Sequence, residues 1–291
     1  MSTARAKKLV VCGGNGFLGS RICRSAVARG WDVTSISRSG EPQWNTVTAS
    51  ATPPSWAHKV TWERADILKP DTYSPHLRTA DYVVHSMGIL LEADYKGVLQ
   101  GKESPMAGLS RAFSATKAGS RNPLSRNRGE ELKSQEKDGQ LTYELMNRDS
   151  AIVLAKEAAA EKVASFVYIS AAGGAPVLPK RYIEAKREAE SAIASEFPLM
   201  RSIFVRPPFL YDSSRAITVS MAALTGMGAA FNTATGGIFG GFMGAAGAKP
   251  LKADVVADAV VEALSDEAVK GPVEIKEIGR LAEKGWRKGM A

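Results

Sequence analysis

The chain is 291 residues long, 44% apolar and 23% charged, which excludes collagen, coiled coil and wholesale disorder and leaves room for one enzyme-sized core. Its two cysteines, Cys12 and Cys23, cannot build a disulfide framework and match no zinc spacing, so no metal is expected. A net charge of +8 favours anionic partners, and residues 1–40 concentrate it, with seven basic side chains against Asp32 alone.

In chain order, eight residues precede a first strand predicted at 9–12. They are too few for a secretory leader, and no mitochondrial presequence is legible beyond the very short one that Arg5, Lys7 and Lys8 would suit. A helix follows, its apolar face marked by Leu18, Ile22, Cys23, Ala26 and Val27 and its stop by Gly30. Further strands are predicted at 32–37, 59–64, 82–85, 166–170 and 202–206, with helices at 149–162, 182–195 and 254–264. This alternation implies an α/β fold with a doubly wound, mainly parallel sheet. No run of about 20 apolar residues is present to cross a membrane as a helix.

Two stretches break the alternation. Residues 93–140 carry nine basic and six acidic side chains with few aromatics, and read as a solvated insertion. Nucleic-acid binding is not expected of it, because stacking platforms are missing. Residues 216–248 hold no charged side chain and eight glycines. Their Met221, Met227, Phe231, Phe239, Phe242 and Met243 suit either an adaptable lining for a greasy ligand or a mobile loop with ordinary core. No basic amphipathic stripe there marks a membrane contact.

Between the first strand and the first helix lies Gly13-Gly14-Asn15-Gly16-Phe17-Leu18-Gly19, which satisfies both G-x-G-x-x-G and G-x-x-G-x-x-G. Such a loop gives a tight turn, a backbone bare enough for a pyrophosphate, and close packing of helix on strand, with helix N–H groups facing the phosphates. NAD sites place an acid at the end of the second strand. Here Ser37-Arg38-Ser39 stands instead, and a guanidinium suits a 2′-phosphate, so NADP is favoured and NAD remains open. The alternative is that Arg38 stacks on the adenine or solvates the strand end. Asp66, before Ile67, is placed to meet the adenine edge or to form an ordinary turn. The expected organisation is one Rossmann-like domain over 1–291, with a dinucleotide-binding core over 1–206 and a small, mainly C-terminal substrate-binding part over 207–291.

Tyr182 and Lys186 stand at i and i+4 on one predicted helix face. A nearby ammonium lowers a phenol pKa, and Tyr182 then exchanges a proton with a carbonyl or alcohol oxygen. Ser170, at a strand end, can bond the same oxygen. The competing reading has Tyr182 packed in the core and Lys186 solvated. His85, without partners at metal spacing, reads as a core or cofactor-edge histidine, and Cys12 as apolar filler.

Together these residues resemble the short-chain dehydrogenase/reductase superfamily in its extended or atypical branch. The resemblance rests on the 13–19 loop, Asp66-Ile67, His85-Ser86-Met87-Gly88, Asn147, Ser170, Tyr182, Lys186 and Arg206-Pro207. It implies a Rossmann fold with NAD(P) held by Gly13 to Gly19, Arg38, Ser39, Asp66, Ile67, Ser86, Met87, Gly88, Lys186 and Pro207. It also implies reaction at Ser170, Tyr182 and Lys186, with Lys186 on the nicotinamide ribose and Asn147 positioning Lys186 through water. The strings Ser37-Arg38-Ser39-Gly40, Val84 to Glu92, Tyr168-Ile169-Ser170-Ala171 and Lys186 to Glu190 resemble a fungal mitochondrial group of NAD(P)-binding proteins of the coenzyme Q synthesis complex. That resemblance implies a peripheral protein on the matrix side of the inner membrane, within a multiprotein complex, supporting ubiquinone production, with a prenylated quinone-like substrate. A more distant likeness is to the NADPH-binding accessory subunit of respiratory complex I. Pro208 stands where extended members carry glycine and removes a backbone donor, and the loop from Ser170 to Tyr182 is shorter than in sugar-nucleotide epimerases. Both features speak against a nucleotide-sugar substrate. The expected function is an NADP-dependent oxidoreductase acting on a carbonyl or alcohol, and the alternative is a non-catalytic NADP(H)-binding scaffold.

Overall fold

The computed structural model describes residues 5–48, 50–88, 122–125, 141–173, 180–212 and 249–290. The first half runs β1 (Lys8–Cys12), α1 (Phe17–Ala28), β2 (Asp32–Ser37), α2 (Trp44–Val47), β3 (Val60–Arg64), α3 (Ser74–Leu77) and β4 (Tyr82–His85). A π-helical turn (Glu144–Asp149) leads directly into α4 (Ser150–Ala160), followed by β5 (Ser165–Ile169), α5 (Lys180–Glu196) and β6 (Arg201–Val205). The chain closes with β7 (Leu210–Tyr211), β8 (Leu251–Lys252), α6 (Ala253–Ser265), β9 (Gly271–Val273) and α7 (Ile275–Met290).

Among the described residues, seven strands form a parallel sheet in the order β3-β2-β1-β4-β5-β6-β9, and β7 pairs with β8 separately. The strand order reverses between β1 and β4, so the carboxyl ends of those two strands open the crevice where such sheets take ligands. Cys12 lies opposite Ile36 on one side and His85 on the other, which brings three strand ends level there. This is a Rossmann-like α/β architecture.

The central strands β1, β4 and β5 are buried almost throughout because both faces of the sheet are covered. Leu9, Val11, Val33, Val84, Val167 and Ile203 pack with Ile22 and Ala26 of α1, Val256 and Val260 of α6, and Ile278 and Leu281 of α7. On the other face, Val10, Ile36, Val83, Phe166 and Phe204 pack with Tyr73, Leu77, Ile152, Ala189 and Ile193. Each fully buried aliphatic side chain contributes about 1.5–3 kcal/mol.

Polar contacts join α1 to α6 in steps of four residues on both helices. Arg21 and Arg24 meet Asp254 at 3.2 and 2.9 Å, Ser25 donates to Asp258 at 2.7 Å, and Arg29 meets Glu262 at 3.0 Å. The basic N-terminal region is thus partly paired within the fold. Its α1 arginines are engaged by acids of α6, and Arg5 pairs with Asp81 at 2.7 Å.

The structure adds β9, the β7–β8 pair and α7 to the predicted elements, and shifts the fifth and sixth strands one residue toward the N-terminus. Residues 251–290, expected on the substrate side of a division at 206, contribute β9 to the main sheet and cover α1 with α6 and α7. The uncharged stretch 216–248 lies outside the described residues, as does the insertion 93–140 apart from residues 122–125.

Candidate functional site

The turn from β1 into α1 can only be made by glycines at its tightest points. Gly13 has φ +83°, a region that strains other residues, and a β-carbon on it would stand 2.7 Å from Met87 Cγ. Gly19, in the first turn of α1, has no room for a side chain, since a β-carbon there would lie 2.1 Å from the Gly13 carbonyl oxygen. Gly14 likewise lies tight against Ser35, and Gly16 closes the turn by donating its N–H to Gly13 O at 2.9 Å. Helix α1 then starts at Phe17 and Leu18 with no side-chain cap and no acid in its first turn. Its N–H donors and positive dipole end suit a phosphate.

Beside this turn, Asn15 Nδ2 donates to Ser39 Oγ at 2.7 Å, tying the glycine loop to the end of β2, and Arg38 is exposed. A hollow of about 190 Å³, counting its open mouth, is lined by Cys12, Ile36, Ser37, Arg38, Ala65, Ile67 and Met87. It lies at the carboxyl ends of β1 and β2, where the adenine of a dinucleotide is expected. A larger hollow of about 470 Å³ around Lys8, Asp32 and Thr34 lies at the opposite strand ends, away from the glycine loop. Asp66 accepts the N–H of Leu68 at 3.1 Å, the turn geometry that was one of its two expected uses. Ser86 Oγ donates to Cys12 O at 3.0 Å and Cys12 Sγ to Met87 Sδ at 3.3 Å, so both side chains brace the loop from below. Burial pushes the Cys12 thiol up, which leaves it unreactive.

Gly88 connects this crevice to the second cluster. A β-carbon on it would lie 2.7 Å from Asn147 Oδ1 and 3.6 Å from Lys186 Nζ. Lys186 is buried and donates to Ile169 O at 3.0 Å, with its Nζ 5.1 Å from the Tyr168 ring centre and 5.7 Å from that of Tyr182. Burial lowers its pKa to about 7, with Arg187 pulling the same way and Glu190 opposing. Asn147 sits in the π-helical turn, and its backbone carbonyl accepts the hydroxyl of Tyr168. His85 has its Nε2 2.9 Å from Ser150 Oγ, and burial drives its pKa down to about 3, so the ring is neutral.

One expectation is overturned here. Tyr182 does not have a lowered pKa: burial pushes it up to about 12, and the cation that opposes this is Arg187. Lys186 is itself depressed by burial, so it is a weak source of positive charge at neutral pH. Tyr182 packs edge-on against Tyr143, ring centres 5.7 Å apart. Ser170 is held by Arg187, whose Nη1 donates to Ser170 Oγ at 2.9 Å, and no hydrogen bond joins Ser170 to Tyr182 among the described residues. Pro207 accepts the N–H of Ala172 at 2.9 Å and clasps the ends of β5 and β6 together. Sequence reasoning missed Arg187 and Tyr168 as members of the cluster; the i,i+3 spacing of Arg187 and Glu190 was the available signal for the first.

The donor set fits a dinucleotide: a bare backbone at the pyrophosphate position, an uncapped helix start, a small hollow on the adenine side and one exposed guanidinium at the end of β2. Comparison with known proteins agrees. Residues 9–94 match the NAD dependent epimerase/dehydratase family. Over 222 residues the chain is 41% identical to MIOREX complex component 2 of Saccharomyces cerevisiae, covering 72% of this chain and 74% of the yeast protein. Among solved structures, the Bordetella bronchiseptica enzyme WbmH in complex with NAD+ aligns with TM-score 0.53 and 14% identity over 93% of this chain and 76% of its own. BdcA in complex with NADPH aligns with TM-score 0.55 and 13% identity over 92% and 91%. At these identities the two structures speak for the fold alone. With its glycine loop, strand order and yeast relative, the chain belongs to the NAD-dependent epimerase/dehydratase family.

Proposed function

We propose that the protein is an NADP(H)-dependent oxidoreductase that reduces a carbonyl of a quinone precursor, working in a multiprotein assembly that supports ubiquinone production on the matrix side of the mitochondrial inner membrane. The observation that carries the chemistry is the convergence of Lys186 and Asn147 beside Gly88, with the Tyr182 ring centre 5.7 Å from the Lys186 ammonium and Gly88 one residue from the Met87 that abuts the glycine loop. The compartment and the pathway rest on the resemblance of the strings around Arg38, His85, Ser170 and Lys186. The assembly also draws support from the yeast relative, which is named as a component of a complex.

A bound nicotinamide supplies the hydride. Tyr182, whose phenol keeps its proton at neutral pH, donates that proton to the substrate oxygen, which suits reduction better than alcohol oxidation. Ser170 orients the same oxygen and Lys186 holds the ribose. Exposed Arg38 selects NADPH by pairing with the 2′-phosphate. The test is Tyr182→Phe in the full chain: carbonyl reduction should fall about 100- to 10,000-fold while NADPH affinity stays within a fewfold. Full activity in that variant rejects the assignment.

The second reading, an NADP(H)-binding scaffold without turnover, is favoured by one observation: Ser170 is engaged by Arg187 and has no bond to Tyr182. A triple substitution of Ser170, Tyr182 and Lys186 that still restores quinone synthesis in a strain lacking the protein decides for the scaffold. Loss of synthesis in a stably expressed triple variant that still binds NADPH decides for the enzyme.

A further inference from the structure

Arg187 lies one position beyond the lysine, and its side chain turns into the cluster instead of into solvent. Nη1 donates to Ser170 Oγ at 2.9 Å and to Glu190 Oε1 at 2.6 Å, while Nη2 donates to Ala171 O at 2.7 Å and to Ala172 O at 3.3 Å. Glu190 is in turn held by Arg206 at the end of β6, and Arg206 meets Glu274 at 2.6 Å. The guanidinium is therefore fixed at both ends, by a carboxylate on its own helix and by the carbonyls that follow β5.

The consequence falls on the serine hydroxyl. Because an arginine only donates, its bond fills an acceptor position of Ser170 Oγ. The Ser170 proton has no acceptor among the described residues, so it is available to a substrate oxygen. A positive charge behind the oxygen also makes that hydroxyl a stronger donor. Building on the reductase reading, we propose that Arg187 is a positioning residue that acts through Ser170, fixing its hydroxyl as a hydrogen-bond donor to the substrate carbonyl and backing it with charge. The same guanidinium is the cation acting on Tyr182, and it reaches Lys186.

The test uses the full chain with NADPH and menadione as the probe carbonyl. The variants are Ser170→Ala, Arg187→Met, Arg187→Lys and the double variant Ser170→Ala/Arg187→Met. Arg187→Met should lower kcat about 10- to 100-fold with little change in the KM for NADPH. Adding it to Ser170→Ala should cost much less than it does alone, because most of its effect passes through the serine and only its charge on Tyr182 and Lys186 remains. Losses that multiply in the double variant overturn the proposal.

A second readout needs no turnover: the Lys186 ammonium, followed by carbon-13 NMR of labelled lysine against pH. The charged and titratable groups facing Lys186 are His85 from β4, Tyr168 from β5, and Tyr182, Arg187 and Glu190 from its own helix. Its midpoint should rise in Arg187→Met and stay near the wild-type value in Arg187→Lys, which keeps the charge and loses the fork. An unchanged midpoint in Arg187→Met overturns the proposal. If menadione is not reduced by the wild type yet the midpoint shifts as stated, the reductase reading fails while the electrostatic role of Arg187 stands.

Discussion

Arg38 is the one basic side chain of the N-terminal region that stands exposed at the mouth of the adenine-side hollow, whereas Arg21, Arg24 and Arg29 are engaged by α6. If it holds a 2′-phosphate, Arg38→Ala should weaken NADPH about tenfold or more and leave NADH nearly unchanged, as read by calorimetry. Comparable losses for the two nucleotides point to adenine stacking. His85 makes a different prediction, because it is fully buried with a bare Nδ1 and a pKa lowered from 6.5 to about 3. Between those values the unfolded chain binds a proton that the folded chain refuses, so stability falls as pH drops from about 6.5 toward 3. The slope from this group is on the order of 1 kcal/mol per pH unit. His85→Gln keeps a donor for Ser150 and has nothing to titrate, so urea unfolding across that window should show a flatter acid limb. An identical slope in the variant assigns the acid sensitivity to other groups. The glycine positions and the Tyr182/Lys186 spacing were legible in the sequence because each follows from local geometry. The charge state of Tyr182 was not, since it depends on how much protein surrounds the phenol and on a guanidinium whose course no spacing reveals.

The helix pair α1 and α6 shows the same boundary between local and distant information. The apolar face of α1 was readable from Leu18, Ile22 and Ala26, but the α6 partners of Arg21, Ser25 and Arg29 lie over 230 residues away in sequence and are matched only by the four-residue rhythm of Asp254, Asp258 and Glu262. Strand β9 escaped prediction for a related reason. Three residues containing a glycine and a proline carry no strand signal of their own, and Gly271-Pro272-Val273 becomes a strand by pairing with β6 at the sheet edge, where proline is tolerated. Glu262 is the point where three helices meet, fully buried and bonded to Arg29 just past the end of α1 and Lys288 of α7. Removing it leaves a partly buried guanidinium without its carboxylate. Glu262→Ala should therefore destabilise the fold by about 2–4 kcal/mol in urea unfolding. Lys288→Ala, at a half-exposed end of the same contact, should cost less than about 1 kcal/mol. Equal effects of the two would show that Glu262 is not the junction of the three helices.

At the scale of the whole molecule, the sheet places the glycine turn, the Arg38 hollow and the Tyr182/Lys186 cluster along one edge formed by the ends of β2, β1, β4 and β5. A ligand lying along that edge touches elements separated by more than 150 residues, so it stabilises the folded chain and finds no equivalent in the unfolded one. Linkage then fixes the size of the effect: at 100 times its dissociation constant, a nucleotide adds about 2.7 kcal/mol. For a chain of this length that corresponds to a rise in Tm of about 4–5 °C. Both the enzyme and the scaffold readings demand this rise, with NADPH more effective than NADH at equal concentration. Gly19→Val is the control, because its side chain would have to occupy the space of the Gly13 carbonyl, and the turn that receives the pyrophosphate would be forced open. If the turn is where the pyrophosphate binds, the nucleotide-dependent rise should vanish in that variant even where the protein still melts cooperatively. A wild-type chain whose melting ignores both nucleotides would remove the ground shared by the two readings, since each requires a dinucleotide on this edge.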